Sequence, residues 1–198
     1  NQIELAGGLC KNIHDVCSES YTFQKQLDEA CEKYGLKTMS VGHDPITDIK
    51  DVPNNPKKRY DVMTEEMPKS GELSLEMMYQ TCGTQINLDY TSESDFKKKF
   101  KIISFLTPLT IALFSNSPIK KNTPTGLLSY RSKVWQSTSR GGLPDIFLED
   151  MDFEKYADFS LNFNLLFLFE NNRYNSANGK NFQDLIIEQK ANSENLQL

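Results

Sequence analysis

The sequence predicts an α+β fold built on an antiparallel sheet, and three features carry that expectation. Apolar residues recur at helical spacing through 13–34 and 92–113. Polar and apolar residues alternate strictly through 81–90, as on a half-buried strand. The regular strand-helix-strand order and the Gly-rich nucleotide fingerprint of a doubly wound parallel sheet are both missing.

Taken in chain order, 2–5 alternates, with Gln2 and Glu4 on one side and Ile3 and Leu5 on the other. Ile13, Val16, Cys17, Phe23, Leu27, Ala30, Cys31 and Tyr34 then form the apolar stripe of an amphipathic helix, which Gly35 stops. Residues 37–41 read as a short strand, and 44–58, with three prolines and Asn54-Asn55, as a loop. Residues 72–79 fit either a helical turn or the start of a strand. In 81–90, Thr81, Gly83, Gln85, Asn87 and Asp89 share one face, and Cys82, Thr84, Ile86, Leu88 and Tyr90 the other.

Ser92, with Glu93 and Asp95 behind it, opens a second long helix in which Pro108 should introduce a kink. Its Lys97, Lys98, Lys99 and Lys101 read as a solvated face rather than a phosphate site. Residues 116–126 are a loop with two prolines, 127–137 are ambiguous, 152–159 are helical, and 162–170 read as a buried strand. An Asn/Gly-rich connection covers 171–181, and the tail from 188 to 198 is expected to fray.

With 38% apolar and 25% charged residues in 198, the composition is that of a soluble globular domain. A chain of this length buries roughly 70% of its unfolded surface, so its aromatic residues are expected in a core. The formal charge of −5 disfavours a duplex nucleic-acid binder or a polybasic membrane-surface protein. The longest near-apolar run, 102–114, falls short of the ~20 residues that span a bilayer. The start at Asn1, without Met or signal layout, reads as a cut end. Four cysteines without a Cys-x-x-Cys pair and only two histidines give no zinc framework. Cys17 and Cys31 on one helix would stand about 21 Å apart, too far for a disulfide. Free thiols and a cytoplasmic location are therefore expected.

Phosphate-loop, dinucleotide and nucleophile-elbow motifs are absent. His14 and His43 lack a neighbouring nucleophile and read as surface or capping residues; Cys82, on the apolar face of its strand, reads as a buried thiol. The oxygen-rich faces Gln2/Glu4 and Gln85/Asn87/Asp89, together with isolated Arg59 and Arg131, suit Mg²⁺ and phosphate or carboxylate groups.

Three strings then carry a resemblance: Arg59-Tyr60-Asp61-Val62-Met63, Met67-Pro68-Lys69 with Gly71, and 77–90 with its Thr81-Cys82-Gly83-Thr84-Gln85-Ile86-Asn87-Leu88-Asp89-Tyr90. They are followed in order by Ala112-Leu113-Phe114-Ser115-Asn116-Ser117-Pro118, Ser129-Tyr130-Arg131-Ser132 with Trp135, and Phe153-Glu154-Lys155-Tyr156. The chain resembles glutamate-cysteine ligase of the plant and proteobacterial type over nearly all its length to Phe182.

That resemblance implies a glutamine-synthetase-like antiparallel sheet with helices packed on one face, here incomplete, with 1–187 a partial ligase domain. It implies that ATP, with Mg²⁺, phosphorylates the γ-carboxylate of L-glutamate and that the amine of L-cysteine displaces the phosphate, the first step of glutathione synthesis. By matched position, Glu4 and Gln2 would be metal ligands, and Gln85 and Asn87 would bind nucleotide. Arg59, Trp135 and Leu166 would contact substrate, and Arg131 would be catalytic.

The sequence also departs from the family pattern. The stretch after Trp135 is shortened to Gln136-Ser137-Thr138-Ser139-Arg140-Gly141, Leu166 replaces an expected aromatic residue, and Gly83 stands where a hydroxyl residue is usual. These changes leave open a non-catalytic binding or regulatory scaffold, or a related carboxylate-amine ligase with another acceptor.

Overall fold

A computed structural model describes residues 3–139 and 141–195, and the chain separates into two compact units, Asn1–Val41 and Gly42–Leu198. In the first, α1 (Ile13–Glu32) is set by Asn12, whose Oδ1 accepts from the backbone N–H of His14 at 2.9 Å and of Asp15 at 3.2 Å. Gly35, at φ +64°, turns the chain so that Leu36 N–H reaches back to the Cys31 carbonyl at 3.0 Å. Cys17 and Cys31 share this helix, and all four cysteines are free.

The strands expected at 2–5 and 37–41 do not form among the described residues. Residues 3–5 and 37–41 have no ladder alongside them there, and an extended segment without a neighbour gains no inter-strand hydrogen bonds. Gly8 N–H instead donates to Glu19 Oε1 at 2.9 Å, tying the leading segment to α1.

The second unit begins with a loop holding one 3₁₀ turn, Ile49–Asp51, then α2 (Lys58–Ser70) and α3 (Ser74–Gln80). The two helices pack as a hairpin hinged at Gly71, where a side chain would collide with the Ser137 carbonyl. The 72–79 ambiguity therefore resolves as helix. α2 lies where the sequence reading placed no element, because its apolar stripe is thin: Met67 is its buried residue.

Next come α4 (Glu93–Leu113), β1 (Ile119–Lys120) with β2 (Thr123–Pro124), and α5 (Tyr130–Gln136). A 3₁₀ turn at Asp145–Leu148, α6 (Phe153–Leu161), β3 (Phe167–Glu170) with β4 (Arg173–Ser176), and α7 (Phe182–Asn195) complete it. The architecture is thus α+β with small antiparallel sheets. Both hairpins turn on two residues at positive φ, Lys121-Asn122 (47° and 60°) and Asn171-Asn172 (50° and 62°), the geometry that matches strand twist. Each turn falls in a stretch read from sequence as an irregular connection, and Asn171-Asn172 is the legible signal for the second.

Ser92 caps α4 as expected, its Oγ accepting from Asp95 N–H at 3.2 Å. The lysine face is solvated and paired: Lys99 meets Asp95 at 2.8 Å and Lys101 meets Asp150 at 2.8 Å. An aromatic ladder joins α4 to α6, running from Tyr90 through Phe96, Phe100 and Phe147 to Phe159 and Phe163, with centroids 4.7 to 5.5 Å apart. The broad aromatic core expected from composition is only partly realised. Met67, Tyr130, Val134, Met151 and Ala177 are the buried apolar residues described, while Phe105, Leu109 and Leu113 on α4 are more than half exposed.

The strand expected at 81–90 reduces to one bridge, Thr81 with His43. Residues 82–90 carry no ladder among those described, and Ile86 and Leu88 are exposed. Alternation fixes which side chains share a face, and Gln85 Nε2 does donate to Asn87 Oδ1 at 2.9 Å. A sheet needs a partner as well. Likewise, of 162–170 only Phe167–Glu170 is strand.

Candidate anion-binding site

Four short backbone segments of the second unit converge. Cys82 N–H donates to the Gly42 carbonyl (3.0 Å), Asp44 N–H to that of Gln80 (2.8 Å), and Gly42 N–H to that of Asn116 (2.8 Å). Ser117 N–H reaches the Leu128 carbonyl at 3.1 Å and Tyr130 N–H the Ser117 carbonyl at 2.9 Å. This seam delivers the start of α5, where Ser129 Oγ caps Ser132 N–H and buried Ser117 Oγ accepts from Arg131 N–H at 3.0 Å.

Tyr130 points into a buried polar cluster. Lys120 Nζ lies 2.7 Å from Glu76 Oε1 and 2.6 Å from the Tyr130 hydroxyl, which donates to Glu76 Oε2 at 3.0 Å. His43, fully buried, packs edge-on against the Tyr130 ring at 5.0 Å, with Nδ1 2.8 Å from the Asp44 carbonyl and Nε2 3.5 Å from Glu76 Oε2. Burial pushes the Tyr130 hydroxyl up, and Glu76 adds to it. Burial would lower Lys120, but its bonds to Glu76 and Tyr130 outweigh that and hold its ammonium above the usual range. The surface or capping role expected of His43 is thereby corrected: its ring completes a core. Glu76, Lys120 and Tyr130 are 10 to 54 residues apart in sequence, so no local pattern announced them.

Arg131 follows Tyr130 and leaves the cluster on another course. Its chain passes Gly42, where a Cβ would stand 3.3 Å from Arg131 Cδ, and its guanidinium lies over Gly83, where a Cβ would stand 2.8 Å from Nη2. The Trp135 ring, one turn on, is 5.5 Å from Arg131 Cζ. Arg131 Nε and Trp135 Nε1 are buried donors without a hydrogen-bond partner, and no carboxylate among the described residues pairs with Arg131. Burial lowers the Arg131 pKa, though an arginine stays charged under ordinary conditions. A half-buried, unneutralised planar fork beside an idle indole N–H is equipped to take a carboxylate or phosphate.

Cys82 borders this site. It is exposed rather than buried on an apolar strand face, because the strand that would have buried it does not form. Desolvation raises its pKa more than nearby Arg131 lowers it, so the thiol stays protonated at neutral pH.

Of the other residues singled out in the sequence, Arg59 is exposed at the start of α2, its guanidinium carbon 5.1 Å from the ring of Tyr60. Gln85 and Asn87 bond to each other on the exposed 82–90 segment. Leu166, half-buried ahead of β3, accepts from Ala177 N–H through its carbonyl at 3.4 Å. Glu4 is exposed in the first unit, and Gln2 lies outside the described residues. The structure thus joins Arg131 with Trp135. Among the described residues no three His, Cys, Asp or Glu side chains gather closely enough to hold a metal ion, so Glu4 is not part of a formed cation cage there.

Fold and site together define a mixed α+β module whose half-buried Arg131 lies beside Trp135 with Nε unpartnered. Comparison with known proteins places it further: the sequence pattern of glutamate-cysteine ligase family 2 (GCS2) matches residues 1–174, and the chain belongs to that family. It is 36% identical over 94% of its length to glutamate-cysteine ligase A, chloroplastic, of Oryza sativa subsp. japonica. It is 37% identical over 93% of its length to the chloroplastic glutamate-cysteine ligases of Medicago truncatula and Arabidopsis thaliana. The matches cover 38%, 37% and 36% of those relatives, so the chain spans under two fifths of their length.

Proposed function

We propose that this chain contributes to an ATP-dependent carboxylate-amine ligase that joins the γ-carboxylate of L-glutamate to the amine of L-cysteine through a γ-glutamyl phosphate. The supporting observation is the Arg131 guanidinium, half-buried, unneutralised among the described residues and flanked by the Trp135 indole, inside the family-matched region. In this reading Arg131 holds an anionic substrate group and balances the charge that grows on it during phosphoryl transfer; the low-dielectric setting strengthens that interaction. Trp135 lies against Arg131, exposed Arg59 would offer a second cation, and Gln85 with Asn87 would face nucleotide.

Magnesium would neutralise phosphate oxygens in such a reaction. By the family match Glu4 and Gln2 would hold it; among the described residues Glu4 belongs to no group of three His, Cys, Asp or Glu. The reaction is placed in a reducing compartment such as the cytoplasm, which suits four free cysteines.

A second reading is a related ligase with another amine acceptor. Leu166 favours it, since an aliphatic side chain offers no hydrogen bond to an acceptor. ADP release by the full-length protein with Mg²⁺-ATP and L-glutamate tests both. Release that rises with L-cysteine and falls at least tenfold in Arg131→Ala supports the first reading, and release driven by another amine supports the second. No glutamate-dependent release would refute both and leave a binding scaffold.

A further inference from the structure

We propose that Gly83, standing where the family pattern has a hydroxyl residue, is a positioning residue for Arg131 in this chain: its bare Cα is the seat on which the guanidinium rests here, and a methyl there moves the cation from its present place against the Trp135 ring. The three atoms nearest a Cβ built at Gly83 all belong to Arg131: Nη2 at 2.8 Å, Cζ at 3.3 Å and Nε at 3.6 Å. No backbone atom intervenes, and Gly83 is not among the residues at positive φ. Glycine is therefore required here neither by main-chain conformation nor by close backbone packing, the two usual reasons for one.

Gly71 shows the contrast, since its missing Cβ points at the Ser137 main chain. A methyl at 83 meets only the far end of a flexible side chain, so the fold tolerates it and Arg131 yields. Gly42 performs a weaker version of the same service farther back, 3.3 Å from Arg131 Cδ, but there the Asn116 carbonyl is also close at 3.4 Å. With Nε buried and unpartnered, Arg131 is held in place by this surface contact and the Trp135 ring rather than by an ion pair among the described residues. A methyl carbon 2.8 Å from Nη2 is closer than side-chain atoms pack, so the guanidinium shifts.

Trp135, the one tryptophan of the sequence, reports the displacement directly. The experiment compares wild type, Gly83→Ala, Arg131→Ala and the double variant by Trp135 emission and acrylamide quenching without ligand, then by L-glutamate affinity. Arg131→Ala should expose the indole, red-shifting emission and raising quenching; Gly83→Ala should shift both in the same direction. Adding Gly83→Ala to Arg131→Ala should change neither, because the group it moves is gone.

Thermal midpoints of wild type and Gly83→Ala should agree within about 3 °C, which separates displacement from unfolding. Wild-type emission in Gly83→Ala, or equal effects of Gly83→Ala with and without Arg131, would overturn the proposal. The ligand arm rests on the function proposed above and expects a loss of about tenfold in Gly83→Ala. If Arg131→Ala leaves glutamate affinity intact, that function fails while the ligand-free arm still decides the seat.

Discussion

Replacing Lys120 by Met probes the buried cluster that holds α5 in place. Lys120 Nζ sits 2.7 Å from Glu76 Oε1, with the two side chains 28% and 12% exposed. Deleting one partner of a fully buried pair costs about 3 to 5 kcal/mol, mostly because the other charge is stranded. Here two features reduce that figure. Lys120 is partly solvated, and Glu76 keeps the Tyr130 hydroxyl at 3.0 Å. A loss of about 2 to 3 kcal/mol remains, or a fall in thermal midpoint of about 5 to 10 °C for a domain of this size.

Glu76→Gln should be milder, about 1 to 2 kcal/mol, since the lysine it releases can turn toward water. The double variant should be more stable than the sum of the singles predicts, by about 1 kcal/mol or more. Urea denaturation followed by circular dichroism measures all three, and an unchanged slope confirms that the denatured states match. Strict additivity, or a Lys120→Met loss below about 0.5 kcal/mol, would refute the reasoning that these groups form one coupled buried unit.

Two other outcomes follow from the geometry. Asp44 Oδ1 accepts from the N–H groups of Ile46 (2.9 Å) and Thr47 (3.0 Å). Burial would raise its pKa, but the bonds from Thr47 and Ile46 outweigh that and lower it, so its stabilisation is present above about pH 3.9 and drains away as pH falls below that. Asp44→Asn, which keeps an acceptor oxygen but does not titrate, should lose less thermal stability than wild type between pH 5 and pH 3; equal losses would count against this. In the second hairpin, Asn172 sits at φ 62°. Asn172→Val should destabilise by about 1 to 2 kcal/mol and Asn172→Gly by none, as read by chemical denaturation.

The helices of this protein are legible in its sequence where stripe and cap agree. Asn12 with the 13–34 stripe, and Ser92 with the acids behind it, mark α1 and α4 to within two residues. α2 escapes because only one of its residues is buried, which leaves periodicity little to report. The strand at 81–90 shows the converse: its alternation is clean, yet pairing depends on a neighbouring segment that local pattern cannot supply.

For the site, Arg131 and Trp135 lie four positions apart, so one turn of α5 brings them together and sequence could suggest the pair. His43, Glu76 and Lys120 meet through contacts spanning 33 and 44 residues, and Gly83 reaches Arg131 from a different segment altogether. The seam of backbone bonds linking Gly42 with Cys82 and Asn116, and Ser117 with Tyr130, makes these segments neighbours.

The central claim is that Arg131 receives an anionic substrate group. Calorimetric titration of wild type, Arg131→Lys and Arg131→Ala with L-glutamate addresses it most directly. The account predicts a dissociation constant raised at least tenfold in Arg131→Ala and by an intermediate factor in Arg131→Lys, which keeps the charge but loses the planar fork. Equal affinities across the three proteins would contradict it.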